Sequence, residues 1–246
     1  MKIIQLGNGG GLNPQQTNSS FLIDLHNDHS SYLLFDCGFN IVARLAKLEE
    51  EDPNFKIANI DYIFLSHTHD DHVGNYETLS YWNYFKNNKI MTTLCGSNEV
   101  LDYIKAKHNQ ILEAGKLINI PLFNGTIITT RKFDNLELNP IQGYHGASIA
   151  HGLVVTNTNT NTMIFISGDT KANPAIEAAV DTIRKSQGIP PLSTLYFHDF
   201  SNWNAPTRNV HACESDFTIE YSPAFQSLCT KYHTGTEEFN KSWQQL

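Results

Sequence analysis

Three imidazoles and a carboxylate, those of His67, His69, Asp71 and His72, fall within six positions of the run Phe64-Leu65-Ser66-His67-Thr68-His69-Asp70-Asp71-His72-Val73-Gly74. Neutral nitrogen and anionic oxygen donors at this density can hold divalent metal ions. A strand ending at Leu65 would deliver His67 and His69 from the loop at its tip. Asp71 and His72 would begin the next turn and face a second centre, so the spacing predicts a binuclear site. Imidazole with carboxylate suits zinc, manganese or iron, and an Asp among His ligands marks a centre that keeps an open water position. A histidine-rich surface tract would share the composition but not the place between an apolar strand and an amphipathic helix.

The elements that must position this run are legible as alternating periodicities. Strand-like runs recur at Lys2–Leu6, Ser20–Leu25, Ser31–Phe35, Asp61–Leu65, Lys89–Leu94, Thr126–Arg131, Gly152–Thr156, Met163–Ser167 and Thr194–Phe197. Helical spacing is found over Asn40–Glu51, Asn75–Lys86, Ser97–Lys107, Asn173–Lys185 and Cys213–Tyr221, with Ser97 and Asn173 placed as N-caps. The mixture is α/β and suits two packed sheets flanked by helices. The polar repeat Thr156–Thr162 reads as a hairpin loop.

At 246 residues and 40% hydrophobic side chains, with no linker-like stretch, the chain is expected to form a single domain over residues 1–246. A net charge of -8 with 17 Lys plus Arg argues against an extended nucleic acid as partner and leaves a small anionic substrate compatible. Cys37, Cys95, Cys213 and Cys229 are widely spaced, which predicts neither a disulfide framework nor a structural zinc knuckle. The first residues lack the apolar core of a secretion signal, and no run approaches the ~20 apolar residues of a membrane span, so a cytoplasmic protein without a membrane partner is expected.

The H-x-H-x-D-H pattern after a strand resembles the signature of the metallo-β-lactamase superfamily. That resemblance implies an αββα sandwich with two divalent metal ions, zinc foremost and manganese or iron as alternatives. Its further ligands stand at strand ends. His145 or His151 would supply the third imidazole of the first metal, with His145 favoured because His151 abuts the strand expected from Gly152. Asp169, in Ser167-Gly168-Asp169-Thr170, resembles the carboxylate that bridges both ions, and His233 would complete the second. The resemblance thus implies one ion on His67, His69, His145 and Asp169, and another on Asp71, His72, His233 and Asp169. Asp36, closing Leu33-Leu34-Phe35-Asp36, is read either as orienting a ligand imidazole or as a cap for the helix from Asn40.

Two segments bear on the branch. His198-Asp199-Phe200 follows a strand, and Asn209-Val210-His211 precedes a helix. They resemble the strand-end carboxylate and the helix-start histidine of the ribonuclease Z branch and related phosphodiesterases, although Asp stands where that branch has Glu and the gap is shorter. The resemblance implies that His211, held protonated by Asp199, is a general acid beside the metal-held hydroxide, with Asp71 also counted among the catalytic groups. The plain alternative is that His211 merely lies near a helix start and that His198 is packed. Unlike ribonuclease Z, the chain has no arm-like insertion between Leu94 and Tyr144, and its Gly-rich turn from Gly7 keeps Pro14 but carries no Arg.

The expectation is therefore a phosphodiesterase for small cyclic nucleotides, resembling arm-less relatives that include phage enzymes destroying cyclic-nucleotide immune signals. Its alternatives are a tRNA 3′-processing endonuclease, a lactone or thioester hydrolase on the same metals, and a non-hydrolytic metal protein. Base-stacking candidates are Tyr76, Tyr81, Trp82, Tyr84, Tyr144 and Trp203. A homodimer is expected from the resemblance.

Overall fold

Runs without polar interruption become strands buried on both faces: Phe21-Leu22-Ile23, Tyr32–Phe35, Leu153-Val154-Val155 and Met163–Ile166 are buried throughout. The computed structural model describes residues 1–13, 15–87, 92–107, 117–119, 131–133, 135–146, 148–201, 210–234 and 241–246. Its strands are β1 (Lys2–Gly7), β2 (Ser20–Asp24), β3 (Tyr32–Phe35), β4 (Ile60–Leu65), β5 (Thr93–Gly96), β6 (Leu117–Asn119), β7 (Arg131–Phe133), β8 (Leu136–Gln142), β9 (His151–Asn157), β10 (Thr162–Ile166), β11 (Thr194–Asp199), β12 (Cys229–Tyr232) and β13 (Gln244–Gln245). The α-helices are α1 (Ile41–Glu51), α2 (Asp70–Val73), α3 (Tyr76–Asn87), α4 (Asn98–Lys107), α5 (Pro174–Ser186), α6 (Glu214–Glu220) and α7 (Pro223–Leu228). Two compact units result: Met1–Ile120 with Gly235–Gln245, and Pro121–Thr234 with Leu246.

The first unit holds a sheet in the order β13-β1-β2-β3-β4-β5-β6. Its β1, β2 and β3 are antiparallel, whereas β3, β4, β5 and β6 run parallel. Parallel neighbours end together: Phe35 pairs with Phe64, and Leu65 with Gly96. Residues just after β3 and β4 therefore share one sheet end, where open α/β sheets place their chemistry. Helix α1 forms because Ile41, Val42, Leu45 and Leu48 recur on one face, which is buried in the core with Leu34, Ile63 and Leu79. Truncating Leu45 to Ala there would cost about 2–5 kcal/mol.

In the second unit the order is β12-β11-β10-β9-β8-β7. Strands β10, β11 and β12 are parallel, with Ile166 beside Phe197 and Asp199 beside Tyr232, so the loops after β10 and β12 leave next to the end of β11. Helix α5 starts at Pro174, is capped by the Asn173 side chain accepting from the Ala175 N–H, and buries Ile176, Ala179, Val180 and Ile183. Ser97 caps α4 in the same manner through Val100.

Of the strand expected over Lys89–Leu94, Thr93 and Leu94 open β5 and Thr92 precedes it; residues 88–91 lie outside the described residues. The Thr126–Arg131 strand lies outside them too, apart from Arg131, where β7 begins. Strand β8 went unanticipated because Pro140 cannot donate to a ladder, and yet it stands opposite Leu153. The six-residue α7, started by Ser222 and Pro223, was also missed, being too short to show a period. Cys37, Cys95, Cys213 and Cys229 are free thiols. No described helix is long and apolar enough to cross a membrane.

Candidate functional site

In the first unit the motif begins as β4 ends. Ser66 and His67 are buried, His69 is exposed, and α2 opens at Asp70 with His69 as its N-cap. The carboxylate of Asp36, just after β3, organises this run. Its Oδ2 accepts from His72 Nδ1 at 2.7 Å and from Ser66 Oγ at 2.8 Å, and its Oδ1 accepts from the Ser66 N–H at 2.8 Å. Ser66 Oγ lies 3.0 Å from His67 Nδ1. One carboxylate thus directs His72 itself and His67 through Ser66, leaving the Nε2 atoms of both rings as donors to a metal. Burial lifts the Asp36 carboxyl above its ordinary range, against the opposing pull of His72 and the hydrogen bonds from His72 and Ser66.

Backbone geometry holds the run in place. Asp36 has φ of 60°, the left-handed region that Asp tolerates better than most residues. The Cys37 N–H donates to the His72 carbonyl at 2.7 Å, and a Cβ on Gly38 would fall onto the Asp71 carbonyl. A Cβ on Gly11 would come within 3.0 Å of the Asp71 carboxylate, so the Gly-rich turn closes over that side chain.

In the second unit Asp169 follows β10 through Gly168, whose φ is +62°. Asp199 ends β11, and His233 follows β12 with φ of 63°. A left-handed histidine is a strained backbone position of the kind found at functional sites. Asp199 Oδ2 accepts from His211 Nδ1 at 2.8 Å and from the Thr170 N–H at 2.8 Å. Its Oδ1 lies 3.1 Å from His233 Nδ1, which is also 3.3 Å from Asp169 Oδ1. His145 donates from Nδ1 to the Val210 carbonyl at 2.9 Å and turns Nε2 towards Asp169, 3.9 Å away. Asp169, Asp199, His211 and His233 each offer one atom within 4.8 Å of the others.

Charge follows from this crowding. Burial alone would raise Asp199, and Asp169 pushes the same way, but His211 and the hydrogen bonds from His211 and His233 outweigh both and hold it below the usual carboxylate range. Burial would lower His233, yet Asp169 and Asp199 carry it above its ordinary value. For His145 burial prevails over Asp169 and the ring is held below its usual value, the neutral form a metal ligand needs.

Within the first unit the structure groups His67, His69, Asp71 and His72; within the second it groups His145, Asp169, Asp199, His211 and His233. Asp36 serves the imidazoles and not α1, whose N-cap is Asn40. His151, the rival to His145, is the first residue of β9, buried, with neither ring nitrogen hydrogen-bonded among the described residues. His198 is a satisfied core residue: Nδ1 donates to the Asp199 carbonyl, and Nε2 accepts from the Tyr221 hydroxyl, which in turn accepts the Asn173 N–H. Sequence reasoning missed Ser66, Thr170 and the Val210 carbonyl, each adjacent to a chosen residue. Adjacency was the available signal. Pro14 and Trp203 lie outside the described residues.

The donor set fits divalent ions. His67 Nε2 and His69 Nδ1 converge to 2.9 Å, so two imidazole nitrogens, the donors that a divalent ion takes, are aimed into one small space. Among solved structures the chain is similar to human tRNase Z, short form, at 14% identity and a TM-score of 0.70, covering 100% of this chain and 99% of that one. It is also similar to the metallo-β-lactamase fold protein YhfI of Bacillus subtilis, at 15% identity and a TM-score of 0.61, covering 87% and 78%. The fold is that of the metallo-β-lactamases. A curated relative, the anti-Pycsar protein Apyc1 of Bacillus phage 010DV004, is 31% identical over 85 residues, which is 35% of this chain and 30% of that protein. The chain thus matches less than a third of that relative's length. The profile of the family described as anti-Pycsar protein Apyc1 matches residues 1–245, and the chain belongs to that family.

Proposed function

We propose that this protein is a metal-dependent phosphodiesterase that opens small cyclic nucleotides, with His211 as the general acid. The observation that carries the reading is the 2.8 Å contact between His211 Nδ1 and the buried Asp199 carboxylate. Asp199 holds the ring in one orientation, so that Nε2 can face a departing ribose oxygen and donate a proton to it. Such an oxygen is a poor leaving group, and a positioned acid is what a lactone or a β-lactam would not require. Membership of the anti-Pycsar Apyc1 family and the acidic balance of the chain support a small substrate over a tRNA.

His67, His69, Asp71 and His72 of the first unit, and His145, Asp169 and His233 of the second, are the residues that would hold the ions. When bound, the pair supplies an activated water and neutralises the phosphoryl oxygens. Asp36 and Val210 keep the ligating rings aimed, and the Thr170 N–H holds Asp199 in place while it serves His211. Action as a cytoplasmic homodimer belongs to the same proposal.

The test is hydrolysis of a panel of cyclic mononucleotides, a precursor tRNA and an acyl lactone by metal-loaded wild type and His211→Ala. Opening of a cyclic nucleotide, lost in the variant, is the expected result. Preference for the lactone with an unaffected variant, or cleavage of the tRNA alone, would overturn it.

A further inference from the structure

The loop that carries His145 also walls a cavity of about 420 Å³, within the size range of small-molecule sites. Its lining includes Gln142, Tyr144, His145, Ile149, Lys171 and Asn173, all within the second unit. Tyr144 and Ile149 are 42% and 41% exposed, large apolar groups left towards solvent where burial would have been favourable. Lys171, two residues beyond Asp169, is exposed and forms no ion pair among the described residues. The walls are preorganised: the Tyr144 N–H donates to Thr170 Oγ1 at 2.8 Å, the Lys171 N–H to the Tyr144 carbonyl at 3.0 Å, and the Gly143 N–H to the Ala150 carbonyl at 2.8 Å.

We infer that this cavity is the nucleobase subsite, with the Tyr144 ring stacked on the base, Ile149 giving an apolar wall, and Lys171 donating to carbonyl oxygens on the base edge. The inference rests on the phosphodiesterase reading above. An aromatic face accepts any base, because every base has a π-face, so Tyr144 sets affinity. An ammonium donates and never accepts, so Lys171 favours bases with an exposed carbonyl, guanine and uracil, over adenine. His145 in the same lining brings the base-binding loop and a proposed metal ligand onto one short segment, which places the phosphate end of the substrate at the histidine.

The experiment compares two phosphodiesters with the same leaving group, thymidine 5′-p-nitrophenyl phosphate and methyl p-nitrophenyl phosphate. Tyr144→Ala is expected to lower kcat/KM for the nucleoside ester about tenfold more than for the methyl ester, chiefly through KM, with Tyr144→Phe restoring the difference. Lys171→Met is expected to reduce the preference for cyclic GMP over cyclic AMP. Calorimetric binding of 5′-GMP to wild type and Tyr144→Ala gives a readout independent of turnover, with about tenfold weaker binding expected in the variant. If wild type cleaves the esters but Tyr144→Ala lowers both equally and binds 5′-GMP as wild type does, the subsite is wrong and the activity stands. If wild type cleaves no phosphodiester, the underlying reading fails.

Discussion

Asp36 and His72, 36 residues apart in sequence, meet at 2.7 Å with both side chains 2% exposed. The carboxylate cannot be solvated there, and the ring cannot rotate without leaving it unsatisfied. A residue just after one strand therefore fixes the tautomer of an imidazole in the short helix that follows the neighbouring strand.

Replacing Asp36 with Asn keeps the shape and tolerates a φ of 60°, but removes the charge that polarises His72. Metal affinity is expected to fall roughly 10- to 100-fold. Competitive titration with a chromogenic chelator measures it, and an unchanged affinity would show that Asp36 is only structural. Asp36→Ala should in addition lower the melting temperature, because Ser66 and His72 lose their acceptor.

Gly38→Ala would drive a Cβ onto the Asp71 carbonyl, which is backbone and cannot swing aside. The loop from Asp36 to Gly38 and the motif helix would have to separate. A loss of about 1–3 kcal/mol, seen in urea denaturation, is expected together with reduced metal content. Retention of both would mean that the loop relaxes without strain.

Without its proton donor, the proposed reaction should slow only where the leaving group is poor. His211→Ala is expected to lower kcat for a cyclic nucleotide roughly 100- to 10,000-fold, with much less effect on a p-nitrophenyl ester, whose leaving group departs unprotonated. Asp199→Asn should follow the same trend through loss of the 2.8 Å partner. Equal losses on both substrates would argue for a binding role instead.

His151 gives a stability prediction with a definite sign. Burial without a hydrogen bond depresses its pKa from 6.5 to about 4. Between those values the unfolded chain binds a proton that the folded chain excludes, so stability is full above about pH 6.5 and falls as pH drops towards 4. The loss from this ring is on the order of 3 kcal/mol. His145 and His198, also depressed by burial, act in the same direction. Denaturant titrations at pH 7 and pH 5 should show a smaller pH dependence in His151→Leu than in wild type; identical slopes would contradict this account.

The run from His67 to His72 was readable because its donors are contiguous and follow a strand whose apolar character is local. Asp169 was readable for a related reason: it closely follows the apolar run of β10, which becomes a strand by its own burial, whereas β12 before His233 carries the exposed Thr230 and Lys231 and gave only its position. The role of Asp36 was not decidable, since a carboxylate after a strand looks the same whether it caps a helix or accepts from an imidazole 36 positions away. The Asp199–His211 contact was likewise open, because residue type and order do not give a distance. Strand β8 stayed hidden behind Pro140, whose local preference is overridden by pairing with β9. By itself the sequence determined the fold class and the chemical character of the candidate residues, which depend on local periodicity and side-chain type. Only the tertiary structure decided which carboxylate serves which imidazole, because parallel strands bring together loop residues that lie tens of positions apart along the chain.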